Sequence, residues 1–302
     1  MTDVVRTPAD RFADLPDWPY APVHADVTVD GTDLRVARVD EGPDDAHPVV
    51  LLHGEPTWGY LWRHVLPPLL DAGHRVVVPD HVGFGRSDKP QPRDWYSFDR
   101  LYDALDQHLR AAVGADAPIT LVVHDWGGLL GLVWAANNRD RVARLVLLDT
   151  GLYRAGGRMS EAWWAFRNHV EQLDAFPVAD MVDGACVTDL SPEVRAAYEA
   201  PFPDAGSHGA PLAMPLLVPT DDDFPGADRM MAAWEVLEQW EAPTLFVWGE
   251  HDPIIPPKVG ERMSQLIPGT RRFTTVAGSH FLQEDAGAEI GEEIAAFIEA
   301  HA

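Results

Sequence analysis

Short apolar runs recur along the chain, and each is bounded by residues typical of turns. Five of these runs are apolar at consecutive positions, which is the pattern of strands covered on both faces of a sheet. They occupy residues 49–52, 75–79, 119–123, 145–148 and 244–248. Two earlier segments, residues 25–29 and 34–39, flank the turn sequence Asp30-Gly31-Thr32-Asp33 and predict an opening β-hairpin.

Helical patterns separate the predicted strands. Residues 99–113 carry leucine at every fourth position from 101 to 109, and residues 128–137 and 286–299 predict two further helices. Strands that alternate with helices predict the α/β class, with a mostly parallel central sheet, right-handed crossovers and helices on both faces.

The strand pattern stops between about Leu152 and Gly226. This stretch has helical patches rich in aromatic residues and is interrupted repeatedly by proline, which favours a helical insertion over the sheet. We therefore expect a core of residues 1–151 and 228–302 and a helical cap of residues 152–227.

The chain is strongly acidic, with 48 acidic and 23 basic residues and a formal charge of −25. Such a surface repels nucleic acid and anionic lipid, so we expect neither as a partner. The acidic residues form short, scattered groups, which indicates an ordinary solvated surface, and adaptation to a salty cytoplasm is the second interpretation. No run reaches the length of a membrane span or signal-peptide core, and the single cysteine, Cys186, cannot form an internal disulfide. We expect a cytoplasmic protein.

The sequence His124-Asp125-Trp126-Gly127-Gly128 follows one predicted strand and puts a carboxylate at a strand-to-helix turn. An aspartate with an ordinary pKa of about 3.9 is ionised at neutral pH and can attack without a base. Its attack on an acyl carbon would give an unproductive anhydride, so the expected electrophile is a saturated carbon of an alkyl halide or epoxide. An aspartate that only caps the next helix is the alternative.

Two other motifs follow predicted strands. His53-Gly54-Glu55-Pro56 comes after residues 49–52, and its loop can aim the N–H of Glu55 at the same point as the N–H of Trp126, which would make an oxyanion site. A plain strand-ending turn is the alternative. Gly278-Ser279-His280 precedes the last helix and supplies a late histidine, in the order nucleophile, acid, histidine.

An acid should orient the ring of His280. Asp252 follows the strand at residues 244–248 and is preferred, and Asp149 follows the strand at 145–148; either could stabilise an imidazolium, so both stay open. The other histidines near these motifs lack metal-ligand spacing, and we expect them to be structural and the site to hold no metal.

Together these motifs resemble the α/β-hydrolase superfamily and, within it, the haloalkane dehalogenases, from about residue 24 to the end of the chain. Glu55 and Trp58 favour the dehalogenases among its members. The other stretches that carry the resemblance are Asp80-His81-Val82-Gly83-Phe84-Gly85-Arg86-Ser87-Asp88-Lys89-Pro90, Ala200-Pro201-Phe202-Pro203 and Gly249-Glu250-His251-Asp252.

The resemblance implies an α/β-hydrolase fold with Asp125 as nucleophile, Asp252 and His280 as acid and base, and Trp126 as a halide ligand. It also implies a second halide donor, often a tryptophan of the cap, and here we expect Trp164. Trp163 lies beside it, and the alternative is that both indoles only pack the cap. The reaction would take a small halogenated hydrocarbon and water to an alcohol and a halide through an alkyl-enzyme ester, with no metal or organic cofactor, in a monomer or small homo-oligomer.

Three other functions stay open. Epoxide hydrolases share the His-Gly-x-Pro and Asp-Trp-Gly-Gly motifs and use two cap tyrosines as acids. Tyr153 and Tyr198 are the tyrosines of the cap region here. A fluoroacetate dehalogenase is less favoured because Trp126 stands where that enzyme usually has arginine. From another class, an inactive hydrolase scaffold could serve as a binding protein, although such a protein needs no nucleophile-base pair.

Overall fold

The computed structural model describes residues 2–302, and its centre is an eight-stranded sheet. In chain order the strands are β1 (Val4–Val5), β2 (Val23–Val29), β3 (Thr32–Glu41), β4 (Pro48–Leu52), β5 (Arg75–Pro79), β6 (Lys89–Pro90), β7 (Ile119–His124), β8 (Val142–Leu148), β9 (Thr244–Gly249) and β10 (Thr270–Val276). The large sheet has the order β10-β9-β8-β7-β4-β5-β3-β2, and β1 pairs with β6 in a separate two-stranded ribbon.

Ten α-helices accompany the strands. They are α1 (Leu66–Asp71), α2 (Phe98–Val113), α3 (Trp126–Asn137), α4 (Glu161–Val170), α5 (Val178–Asp183), α6 (Pro192–Glu199), α7 (Gly209–Leu217), α8 (Ala227–Leu237), α9 (Pro257–Leu266) and α10 (Leu282–Ala300). Helices α2, α3 and α8 pack in one group and α1 packs on α10 in another. Within residues 2–302, no helix combines the length and the apolar character that crossing a bilayer requires.

The predicted α/β class is confirmed, with a mostly parallel sheet. Along the large sheet, the six strands β10, β9, β8, β7, β4 and β5 are parallel to their neighbours. Strand β3 runs antiparallel both to β5 and to its hairpin partner β2. Every residue of β4, β7 and β9 is buried, as their continuous apolar runs predict for strands covered on both faces. The carboxyl ends of these parallel strands lie at one edge of the sheet, and the predicted site residues follow them there.

The segment between β8 and β9 is helical and contains α4 to α8. Ser160 caps α4 because its hydroxyl accepts the N–H of Trp163, and Ser191 caps α6 in the same way before Pro192 at the first helical position. Helix α8 packs on α3, so it continues the core, whereas α4 packs on α7 and α5 on α6. These contacts support the proposal that a cap ends close to residue 227.

Candidate active site

Asp125 lies at the tip of the turn between β7 and α3. Its φ of +47° is in the left-handed region, which residues with a side chain seldom adopt and which recurs at active-site turns. The turn requires the glycines that follow: a Cβ on Gly127 would lie 2.2 Å from the carbonyl oxygen of Leu52, and one on Gly128 would lie 1.9 Å from Oγ1 of Thr150. The two glycines therefore allow α3 to start directly against the sheet.

The carboxylate of Asp125 faces the other predicted site residues. It makes no N-cap hydrogen bond, and of the N–H groups of α3 only that of the first residue, Trp126, acts on it. Instead Oδ1 accepts the backbone N–H of Glu55 at 2.9 Å, and Oδ2 lies 3.7 Å from Nε2 of His280. The helix-cap alternative therefore does not describe this side chain.

Burial and hydrogen bonding shift the pKa of Asp125 in opposite directions. Burial raises the pKa, whereas His280 and the backbone N–H groups of Trp126 and Glu55 lower it, and the net pKa is raised above its ordinary value. The two N–H groups predicted for an oxyanion site thus both act on the Asp125 carboxyl. Any negative charge that develops on this carboxyl is placed where they can stabilise it.

His280 and Asp252 form a buried pair. Nδ1 of His280 lies 2.8 Å from Oδ2 of Asp252, whose Oδ1 accepts the N–H groups of Ile254 at 2.7 Å and Ile255 at 3.0 Å. Burial alone would raise the pKa of Asp252, but His280 and the two N–H groups outweigh it and the pKa is lowered. Burial alone would lower the pKa of His280, but Asp252 and Asp125 outweigh it and the pKa is raised.

The rival acid, Asp149, is also buried at this edge, but it does not bond to the ring. Its Oδ1 accepts the N–H of Gly249 at 2.9 Å. Burial and the negative charge of Asp252 raise its pKa well above the ordinary value. The geometry therefore favours Asp252 as the ring partner.

The neighbouring histidines, which we expected to be structural, hold the site loops. Burial lowers the pKa of His124 to about 3, so its ring is neutral and its Nε2–H donates to the carbonyl oxygen of His280 at 2.8 Å. Nε2 of His53 accepts the N–H of His81 at 3.0 Å, so its proton is on Nδ1, which donates to the carbonyl oxygen of Gly54 at 2.9 Å.

The predicted halide ligands differ in their surroundings. Trp126 is almost fully buried, and among the hydrogen bonds of residues 2–302 none uses its indole N–H. Trp164, which we expected to be the second donor, is 40% exposed and lies under the guanidinium of Arg167, whereas Trp163 is only 8% exposed. A donor must exclude water to hold a halide well, so this difference favours Trp163 over Trp164.

The two tyrosines of the epoxide-hydrolase alternative bond to carboxylates outside the Asp125 site. Tyr153 is half-buried, and its hydroxyl donates to Oδ1 of Asp222 at 2.6 Å. Tyr198 is buried, and its hydroxyl donates to Glu284. An epoxide hydrolase would need these hydroxyls free to protonate an alkoxide, so the geometry disfavours that function.

The sequence pattern does not reveal the surroundings of two buried ionisable side chains in the site region, Glu55 and Arg63. The side chain of Glu55 is buried, its Oε1 has no partner in residues 2–302, and burial and Asp125 raise its pKa well above the ordinary value. Arg63 forms an ion pair with Glu284, four residues beyond His280, and both side chains are at most 3% exposed. Motifs locate residues beside strand ends, whereas these contacts depend on distant chain segments.

Comparison with known proteins agrees with this geometry. A family model described as the alpha/beta hydrolase fold matches residues 47–287. A haloalkane dehalogenase of Mycolicibacterium paratuberculosis is 42% identical over 98% of this chain and 99% of its own length, and one of Mycobacterium marinum is 41% identical over 97% and 98%. The tetrameric haloalkane dehalogenase DpaA from Paraglaciecola agarilytica NO2 superposes with a TM-score of 0.89 at 33% identity, over 96% of this chain and 97% of that chain.

The mostly parallel sheet, the helices around it and the family match define an α/β-hydrolase, with Asp125 at the turn between β7 and α3. Within that superfamily, the chain belongs to the haloalkane dehalogenase family.

Proposed function

We propose that this protein hydrolyses small haloalkanes to an alcohol, a halide and a proton through an alkyl ester on Asp125. One observation carries the proposal: the Asp125 carboxylate is held by the N–H of Glu55, faces Nε2 of His280, and is followed by the indole of Trp126, whose N–H has no protein acceptor in residues 2–302. A carboxylate, a base and a free donor are what two displacements with an anionic leaving group require.

The first step is an in-line displacement. A lone pair of the Asp125 carboxylate forms a bond to the carbon that carries the halogen, and the electrons of the carbon–halogen bond leave with the halide. The indole N–H of Trp126 stabilises the departing anion, because this group is a donor only and the indole ring excludes water.

The second step is hydrolysis of the ester. Neutral His280 takes a proton from water, and the hydroxide adds to Cγ of Asp125. The charge that forms on the carboxyl oxygen is stabilised by the N–H groups of Glu55 and Trp126, an interaction worth about 3 to 4 kcal/mol per donor in comparable sites. The tetrahedral intermediate expels the alkoxide, which takes the proton from imidazolium, and Asp125 then loses its acid proton to solvent. Asp252 stabilises the imidazolium throughout, and no step requires a metal or an organic cofactor.

Two experiments test this scheme. Bromide release from 1-bromobutane and 1,2-dibromoethane without diol release from styrene oxide is the expected result; diol without bromide would indicate an epoxide hydrolase, and inertness to the whole panel would indicate a binding protein. His280→Ala should release at most one bromide per active site and gain the mass of a butyl group. Asp125→Asn is the matched control, which should show neither, and bromide turnover by it would overturn the role of Asp125.

The cap and the assembly state are parts of the same proposal. We propose that residues 152–227 form a cap whose helix α4 supplies Trp163 as the second halide donor, and that the protein is a small homo-oligomer. DpaA is tetrameric, which supports the second assignment. Light scattering coupled to gel filtration checks it, and a single monomer peak at micromolar concentration would contradict it.

A further inference from the structure

A second carboxyl group lies against the Asp252–His280 pair. Asp149 follows β8 and Asp252 follows the neighbouring strand β9, so the parallel register brings both side chains to one place. Both acids are at most 3% exposed, and an oxygen of each lies within 4.8 Å of the other and of a ring nitrogen of His280.

The hydrogen-bond donors at this place are divided unequally. Asp252 accepts three, from His280, Ile254 and Ile255. Asp149 accepts one, from Gly249, and its Oδ2 is buried with no donor in residues 2–302. A buried carboxylate oxygen without a donor is costly, whereas a carboxylic acid can satisfy the same oxygen by donating its own proton.

Two carboxyl groups this close in a buried site oppose each other's ionisation, so a single shared charge is favoured over two. Three other titratable groups surround them: His280, Asp125 and His124. His280 bonds to Asp252, and Asp125 and His124 both lie next to His280. Because the positive partner and most of the donors belong to Asp252, the negative charge is best placed there and the proton on Asp149. The opposite pKa shifts of the two acids, Asp149 raised and Asp252 lowered, agree with this placement.

We propose that Asp149 is a positioning residue: it stays a neutral acid and donates its carboxyl proton to Asp252, so that the two acids share one proton and one charge. This inference rests on the proposed roles of Asp252 and His280. Its consequence concerns His280. The proton donated by Asp149 stabilises the Asp252 carboxylate, so this carboxylate attracts the imidazolium of His280 less strongly. His280 therefore loses its proton at a lower pH and remains a usable base.

Asp149→Asn and Asp149→Ala distinguish a neutral from an ionised Asp149. An asparagine can accept the Gly249 N–H and donate its amide N–H to Asp252, so Asp149→Asn should keep turnover within about twofold and leave the acid limb of the pH profile in place. Asp149→Ala removes the donor, so the acid limb should move up by roughly one pH unit. If Asp149 were ionised, both variants would remove a negative charge, and both acid limbs would move down; that result overturns the proposal.

A measurement without turnover separates this proposal from the proposed activity. The infrared C=O band of a buried carboxylic acid should be present in the wild-type protein at neutral pH and lost in Asp149→Asn. The wild-type spectrum minus the variant spectrum should therefore show this band. Glu55, the other buried acid of the site, contributes equally to both proteins and cancels. An unchanged acid band would overturn the proposal even in an active enzyme, and a lost band would support it even if no haloalkane is turned over or Asp149→Ala fails to fold.

Discussion

At the scale of single residues, the site combines burial with a few directed donors, and the two effects decide which side chains carry charge. Asp125, Asp252 and His280 are all removed from water, but the charge of His280 and the hydrogen bonds to Asp252 outweigh burial and lower the pKa of Asp252, whereas the pKa of Asp125 stays raised. The pKa of His280 is raised by its two acidic neighbours, Asp252 and Asp125. Residues with fewer donors, such as Glu55, keep the raised pKa of a buried acid. Charge in this site therefore depends on the charged partners and donors of each side chain more than on residue type.

The covalent ester should accumulate as the pH falls. His280 must be neutral to activate water, and its pKa is raised above 6.5, so ester hydrolysis is fast above that pKa and is lost as the pH falls through it. Asp125 must be ionised to attack; its pKa is raised from 3.8, but a protonated His280 beside it favours the carboxylate, so alkylation persists to lower pH. Acid quenching and intact-mass measurement during turnover of 1-bromobutane give the alkylated fraction. A fraction that is constant or falls with decreasing pH would contradict the assignment of His280 as base.

The two adjacent tryptophans of α4, Trp163 and Trp164, give a matched pair of variants. Trp163→Phe removes a buried N–H donor, and we expect kcat/KM for 1-bromobutane to fall about 100-fold, the effect of losing one donor to a developing anion. Trp164→Phe changes an exposed side chain, and we expect an effect within about twofold. Steady-state bromide release is the measurement, with bromide binding by fluorescence quenching as a check. The reverse order would restore Trp164 as the second donor.

At the scale of elements, the length and burial of a segment decide whether its sequence reveals it. The long buried strands and helix α2 were predicted within one to three residues, because each keeps one period over many positions. The ribbon of β1 and β6 pairs two residues from each strand, which is too short for any period. Helix α1 was not predicted because it contains two adjacent prolines, which only its first turn tolerates.

The same distinction applies to the site residues. Asp125 and His280 could be predicted from strand-end motifs, whereas the choice between Trp163 and Trp164 depends on how α4 is rotated about its axis.

The contact between α6 and α10 should contribute strongly to stability. Tyr198 of α6 donates to Glu284 of α10, and Arg63 forms a buried ion pair with the same Glu284 carboxylate. The guanidinium of Arg63 lies 4.3 Å from the centre of the Tyr60 ring. Arg63→Met leaves the carboxylate buried without its cation, and we expect a loss of about 3 to 5 kcal/mol in the free energy of unfolding. Tyr198→Phe removes one charge-assisted hydrogen bond, and we expect a loss of about 2 kcal/mol.

Urea unfolding measures both losses, and an exposed ion pair supplies the control. Arg272 pairs with Glu293, but its side chain is 57% exposed, so Arg272→Met should cost less than about 1 kcal/mol. Equal losses in Arg63→Met and Arg272→Met would show that the buried pair contributes no more to stability than an exposed one.

At the scale of the whole molecule, the dominant electrostatic quantity is the net charge. Acidic residues exceed basic ones by 48 − 23 = 25, so ion pairing within the chain cannot neutralise the surface. Salt acts on two opposing terms here: it screens the repulsion among unpaired carboxylates, which stabilises the fold, and it screens attractive pairs such as Arg272–Glu293, which destabilises it. The pair of Arg63 and Glu284 is buried and responds little, so the excess of unpaired charge should determine the sign.

We therefore expect the urea midpoint of unfolding to rise as KCl is increased from low to molar concentration. Urea is the suitable denaturant because it carries no charge and does not change the ionic strength. The screening length falls from about 10 Å at 0.1 M to about 3 Å at 1 M, so screening alone should give most of the increase below about 1 M and then level off. An increase that continues well beyond that range would favour adaptation to a salty cytoplasm, because simple screening is by then complete. A midpoint that falls as salt is raised would contradict both interpretations and would show that attractive surface pairs outweigh the net repulsion of a chain with a charge of −25.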